Sequence, residues 1–96
     1  MARVLLDLNL PAFQSQLFAL DAGPLRQVQK SLHKLSKMEW AAVYRDNGLK
    51  WEAVKGEPGK FTFRIGQQCR AVGLRHNDHL RIQSLHFDRD SAYGKK

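Results

Sequence analysis

One cysteine, three prolines and no long apolar run set the first limits on this chain. A lone Cys69 cannot close an internal disulfide, so packing alone must hold the fold, and a reducing compartment suits it. On a strand, Cys69 reads as a small buried hydrophobe rather than a reactive thiol. No segment approaches the roughly 18 consecutive apolar residues that a bilayer crossing needs. The opening MARVLLDLNLP lacks the long apolar core and small-residue cleavage site of a secretory leader. A cytoplasmic protein without membrane contact is therefore expected. Acidic residues are also scarce, with nine Asp and Glu against sixteen Lys and Arg and a formal net charge of +7.

A hydrophobic fraction of 43% is enough for a globular core and argues against disorder. Ninety-six residues support one modest domain, 1–96. There is no internal repeat and no low-complexity linker. The positive charge is uneven: ten basic and five acidic residues lie from Leu49 onward, six and four before it. Five arginines fall in the region after Leu49, on expected strands and tail. A basic surface there suits a polyanion such as nucleic acid, or an acidic protein.

Hydrophobic spacing supplies the elements. Arg3 to Leu8 is short and apolar, a candidate first strand. Asn9 is a candidate N-cap, and Pro11 fits the first turn of a helix whose stripe is Leu10, Phe13, Leu17 and Leu20. Asp21-Ala22-Gly23-Pro24 interrupts it. A second helix follows, with Leu25, Val28, Leu32, Leu35 and Met38 on one face and Arg26, Lys30, Lys34 and Lys37 on the remainder. His33 lies off the apolar stripe, as a surface residue. Trp40 to Gly48 reads as a continuation of that helix. Lys50 to Val54 reads as a strand, and Gly56-Glu57-Pro58-Gly59 as a turn.

From Phe61 on, the period becomes two. Phe61, Phe63 and Ile65 alternate with Thr62, Arg64 and Gly66; Cys69 to Leu74 is extended; Leu80, Ile82 and Ser84 alternate with Arg81, Gln83 and Leu85. The strands are too closely spaced for helical crossovers, which makes them an antiparallel meander. The expected fold class is α+β: an N-terminal strand and a helical hairpin packed on one face of a small, mainly antiparallel sheet. Its other face would be open to solvent.

That open face is where chemistry is expected. Arg64 opposes Phe63 and Ile65, and Arg81 and Gln83 oppose Leu80 and Ile82. Arg70 shares parity with Val72 and Leu74 and is harder to place from alternation. Guanidinium groups gathered on one face bind phosphate because each can bond two oxygens at once. Trp40 and Trp51 are expected in helix–sheet packing. His76 and His79 flank Asn77-Asp78, too small a set for a zinc site, and no cofactor or metal is expected.

The ordered set of helical hairpin, KWEAVKG, turn, FTFRIGQQCRAVGL and LRIQSLHFDRDSAY resembles the RelE/ParE superfamily of bacterial type II toxin–antitoxin toxins. The resemblance runs from Leu25 to Tyr93 in element order and is specific from Lys50 onward. In that family a strand arginine is followed about six residues later by a second, and a last strand leads into a tail with His or basic residues and a near-terminal Tyr. Here those features fall on Arg64, Arg70, His86, Arg89 and Tyr93.

The resemblance implies a toxin blocked by a cognate antitoxin and, in the RelE-like branch, an enzyme that enters the ribosomal A site and cuts mRNA. Arg64 and Arg70 would then hold the developing charge on phosphorus, and His86, a residue type that titrates near neutrality, would move a proton. Tyr93 would stack on a base or donate a proton, and Arg89 would steady the phosphate or leaving group. Lys50, Lys55, Lys60, Arg81, Lys95 and Lys96 would grip RNA. Glu52 is a further candidate base. Where many members carry Gly, then His or Lys, then Arg, this chain has Leu85-His86-Phe87-Asp88-Arg89. His86 thus lies further from Tyr93 than is usual, and Asp88 and Asp90 add negative charge. The ParE-like branch implies instead a DNA gyrase inhibitor that needs no catalytic residues, and a non-catalytic nucleic-acid-binding domain of this fold is a third possibility.

Overall fold

The structure, a computed structural model, describes residues 2–87. A short strand β1 (Leu5–Asp7) leads into helices α1 (Pro11–Phe18), α2 (Ala22–Ser36) and α3 (Trp40–Val43). Strands β2 (Glu52–Ala53), β3 (Lys60–Ile65), β4 (Cys69–His76) and β5 (His79–Phe87) follow. The strands form one sheet in the order β1-β5-β4-β3-β2, antiparallel throughout except where β1 runs parallel to β5. The fold is α+β, with the helices on one face of a mainly antiparallel sheet.

α1 starts at Pro11, whose fixed φ suits the first helical position. Pro11 also pushes Leu10 into extended backbone (φ −72°, ψ 121°), so Leu10 rather than Asn9 occupies the N-cap. The Asn9 N–H instead donates to Asp7 Oδ1 at 3.0 Å. α2 buries Val28, Leu32 and Leu35 and stops at Ser36, short of the expected continuation through Gly48. The reason is the N-terminal segment. Val4 N–H donates to the Met38 carbonyl and Trp40 N–H to the Ala2 carbonyl, so residues around Glu39 are drawn into extended pairing before the single turn of α3.

The strand expected over Lys50–Val54 is likewise shorter. Lys50 adopts a left-handed φ of 51°, which a strand cannot contain, and the ladder begins at Glu52. Between sheet and helices, Phe63, Ile65, Cys69, Ala71, Leu80, Ile82 and Leu85 meet Phe13, Val28, Leu32, Leu35, Trp40 and Val43, all buried. Full burial of one such large side chain contributes about 1.5–3 kcal/mol. At the sheet's β2 side Trp51 stacks on Phe61 and Phe63, centroids 4.9 and 5.6 Å away, and meets Trp40 edge-on at 5.8 Å. Both tryptophans therefore pack helix against sheet. The Trp51 indole N–H has no acceptor among the described residues.

Gly66, in the β3–β4 turn, has φ +61°, and a Cβ there would meet Gln27 Oε1 at 2.8 Å. The exposed end of Gln27 could swing aside, so it is the left-handed φ of the turn that favours glycine there. Gly73 sits on the helix-facing side of β4, where a Cβ would meet Leu80 Cδ1 at 2.8 Å.

Candidate functional site

The helix-facing set on β4 is Cys69, Ala71 and Gly73, all buried. Arg70, Val72 and Leu74 therefore share the opposite, uncovered face, which resolves the parity problem: Val72 and Leu74 are half-buried sheet-surface residues. Arg70 is the register partner of Arg64 on β3 and of His86 on β5. Directly opposed residues point to the same face. Arg64, Arg70 and His86 thus form one row across three strands, whose outer backbones lie about 10 Å apart.

The Arg64 N–H donates away from β4, to the Leu49 carbonyl at 2.6 Å. Arg64 and Arg70 therefore face each other as a non-hydrogen-bonded pair, the closer of the two antiparallel spacings. Like charges at that spacing oppose sheet formation. One carboxylate eases the repulsion: Glu52 Oε1 lies 3.5 Å from Arg70 Nη2. This pair is well exposed, so it does little for stability.

His86 reaches this row through an irregularity in β5. Simple alternation from Leu80 and Ile82 would put Ser84 and His86 under the helices and Leu85 outside. Instead the β4 register shifts between Val72 and Gly73: Gly73 pairs with Ile82 and Val72 with Ser84, leaving Gln83 as the extra residue. The phase reverses beyond it. Leu85 is buried and His86 is exposed, a correction to the strict alternation expected for this strand. Ser84, now on the same face, lies with its Oγ 2.8 Å from His86 Nε2. Nothing in composition marked Ser84; its signal was the Ser-x-His spacing, two residues apart on a strand.

Lys60 and Arg81 share the uncovered face but lie at its other end, beside Leu74. Each already has a carboxylate partner. Lys60 Nζ is 3.0 Å from Glu57 Oε1, and Arg81 Nε donates to Asp7 Oδ2 at 3.0 Å. The Asp7 carboxyl is held below its ordinary value by the Asn9 N–H first and by Arg81 second. Lys50 and Lys55 are exposed around β2, outside the row. Arg89, Tyr93, Lys95 and Lys96 lie outside the described residues, as do Asp88 and Asp90. A cavity of about 770 Å³ opens elsewhere, between the α1–α2 corner and the β3–β4 turn, and none of Arg64, Arg70 or His86 lines it. Among the described residues no three His, Cys, Asp or Glu side chains gather as metal ligands. No described helix is long and apolar enough to cross a membrane.

No protein-family model matches the chain, and no curated protein does. Among solved structures it is similar to a copper-bound mutant toxin from Helicobacter pylori. Identity is 21% and the TM-score 0.50, over 94% of this chain and 98% of that one. The two share a fold.

Proposed function

We propose that this chain is the toxin of a type II toxin–antitoxin pair of the RelE-like kind, and that it cuts mRNA in the ribosomal A site. The observation that carries the proposal is the cross-strand row of Arg64, Arg70 and His86 on the uncovered face. Two like charges at the closer spacing of an antiparallel pair weaken a sheet, yet they suit a phosphodiester that gains negative charge as it reacts. The likeness to a bacterial toxin over nearly the whole chain supports the same reading.

In this mechanism the ribose 2′-oxygen attacks phosphorus and the 5′-oxygen leaves, giving a 2′,3′-cyclic phosphate and a 5′-hydroxyl. Arg64 and Arg70 straddle the phosphate and neutralise the charge that grows on its two free oxygens. His86 carries a proton, to the leaving oxygen or from the attacking hydroxyl. Glu52, beside Arg70, is a second candidate for the base, with a carboxylate in place of an imidazole. Arg89 and Tyr93 are assigned to the leaving group and to base stacking, and Lys50, Lys55, Lys60, Arg81, Lys95 and Lys96 to the RNA backbone. No cofactor is assigned. The cognate partner would be an antitoxin laying an acidic segment over this basic surface in the cytoplasm.

Mapping of transcript ends after induction tests this. New 5′ ends within translated mRNA should accompany growth arrest, and should vanish in Arg64→Ala, Arg70→Ala and His86→Ala variants that remain folded. Folded variants that all stay toxic would overturn it. Supercoiling and nucleoid defects with intact transcripts would replace it by gyrase inhibition.

A further inference from the structure

A second charged surface lies on the other side of the molecule. α2 exposes Arg26, Lys30 and Lys34, and Lys37 follows as its C-cap. Their spacings of four, four and three residues confine them to an arc of roughly 100° on the helix, and His33 falls on the same arc. The buried Val28, Leu32 and Leu35 define the opposite side. The four cations span about 16 Å along the axis. No Asp or Glu occurs from Ala22 to Lys37.

The stability of the helix does not account for this stripe. Like charges four residues apart repel, as Arg26, Lys30 and Lys34 must. The helix dipole favours cations only in the last turn, so Lys34 and Lys37 benefit while Arg26 and Lys30 do not. Lys34 Nζ is 3.1 Å from Asp46 Oδ2. Arg26, Lys30 and Lys37 have no ion pair among the described residues. Among the described residues the exposed large hydrophobics are Leu5, Phe18 and Tyr44, and all lie off α2. Protein interfaces centre on aromatic or aliphatic anchors and are poor in lysine. A line of cations flanked by Gln27 and Gln29, without an apolar centre, matches instead the regular negative charge of a phosphate backbone.

We infer that the Arg26–Lys30–Lys37 stripe of α2 docks the phosphate backbone of double-helical RNA, on the side of the protein opposite Arg64 and Arg70. The protein then holds two RNA segments at once, a single strand over the sheet and a helical stretch against α2. Phosphate recognition here is independent of cleavage. The choice of RNA over DNA, and the single strand over the sheet, rest on the function proposed above.

Binding of the full chain to a 20-base-pair RNA duplex, to the same DNA duplex and to polyglutamate would be followed by anisotropy across a salt series. The triple variant Arg26→Gln, Lys30→Gln, Lys37→Gln touches only exposed side chains, and its melting temperature verifies folding. It should bind the RNA duplex about 10- to 100-fold more weakly near 0.1 M salt, with the logarithmic salt slope reduced by about two to three. Arg64→Ala with Arg70→Ala should leave duplex binding within about twofold, whether or not the chain cleaves mRNA. An unchanged slope in the folded triple variant overturns the inference. So does tighter binding of DNA than RNA, or a loss confined to polyglutamate, which would make the stripe a protein contact.

Discussion

The side chain of Gln16 on α1 pairs with the backbone of Leu85 on β5 as a neighbouring strand would. Gln16 Nε2 donates to the Leu85 carbonyl at 2.9 Å, and the Leu85 N–H donates to Gln16 Oε1 at 2.8 Å. β1 pairs with β5 only as far as Arg81, so this amide satisfies backbone groups that the sheet leaves open. It also holds Leu85 in the phase that turns His86 outward.

Gln16→Ala should therefore loosen the far end of β5. Two hydrogen bonds are lost, for a destabilisation of about 1–2 kcal/mol by urea unfolding. Amide exchange at Leu85 should accelerate while that at Leu80 does not. Equal protection of Leu85 in both proteins would dismiss this role for Gln16.

Deleting Gln83 removes the extra residue of β5 and leaves Ile82 and Ser84 opposite Gly73 and Val72, so Leu85 stays under the helices and His86 on the uncovered face. That deletion should cost less than about 1 kcal/mol, whereas one alanine inserted after Ser84 would turn Leu85 to solvent and His86 to the helices, at a loss of about 2–3 kcal/mol for the leucine alone. Gln83→Ala keeps the bulge and should cost less than about 0.5 kcal/mol. Thermal melts of the three variants make the comparison, and an insertion variant as stable as wild type would show that burial of Leu85 does not hold the register of β5.

Ser84 is expected to act through His86. Its hydroxyl lies 2.8 Å from Nε2, which leaves Nδ1 for the proton transfer of the proposed cleavage. Ser84→Ala should lower kcat for mRNA cleavage roughly tenfold with little change in KM, because a misaligned proton carrier slows only the chemical step. Ser84→Thr should restore it. Ring ¹⁵N shifts of His86 should change in the alanine variant and return with threonine; identical shifts in all three proteins would remove Ser84 from the mechanism.

Acid should weaken the packing of the loop before β2. Partial burial pushes the Asp46 carboxyl up, but the Lys34 hydrogen bond, the Leu49 N–H and the Lys34 charge outweigh it and hold the value below the ordinary 3.8. A lowered folded value means stability that is fully present above the ordinary value and lost as pH falls through the folded one. Asp46→Asn should thus cost about 1 kcal/mol at neutral pH, and the difference should shrink below pH ~4. A gap between the two proteins that stays constant down to the acid limit would contradict the assignment.

Much of this architecture could be read from residue order. Apolar side chains at three- and four-residue steps must line one side of a helix, and strict alternation in Phe61 to Ile65 must separate Phe63 from Arg64. Those are local consequences of backbone period, and so is the basic stripe of α2. What local period could not supply was phase after an interruption. Arg70 shares parity with Val72 and Leu74, whose hydrophobicity suggests burial, whereas the helices cover Cys69, Ala71 and Gly73. The bulge at Gln83 arises from pairing with β4 and is held by Gln16, 69 residues away from Leu85 in sequence. The break after Ser36 likewise depends on the N-terminal segment pairing with Met38 and Trp40. The sequence by itself determined the order of strand, helices and meander and how much positive charge they carry. Only tertiary pairing decided that Arg64, Arg70 and His86 stand in one row, because register across strands depends on contacts between distant residues.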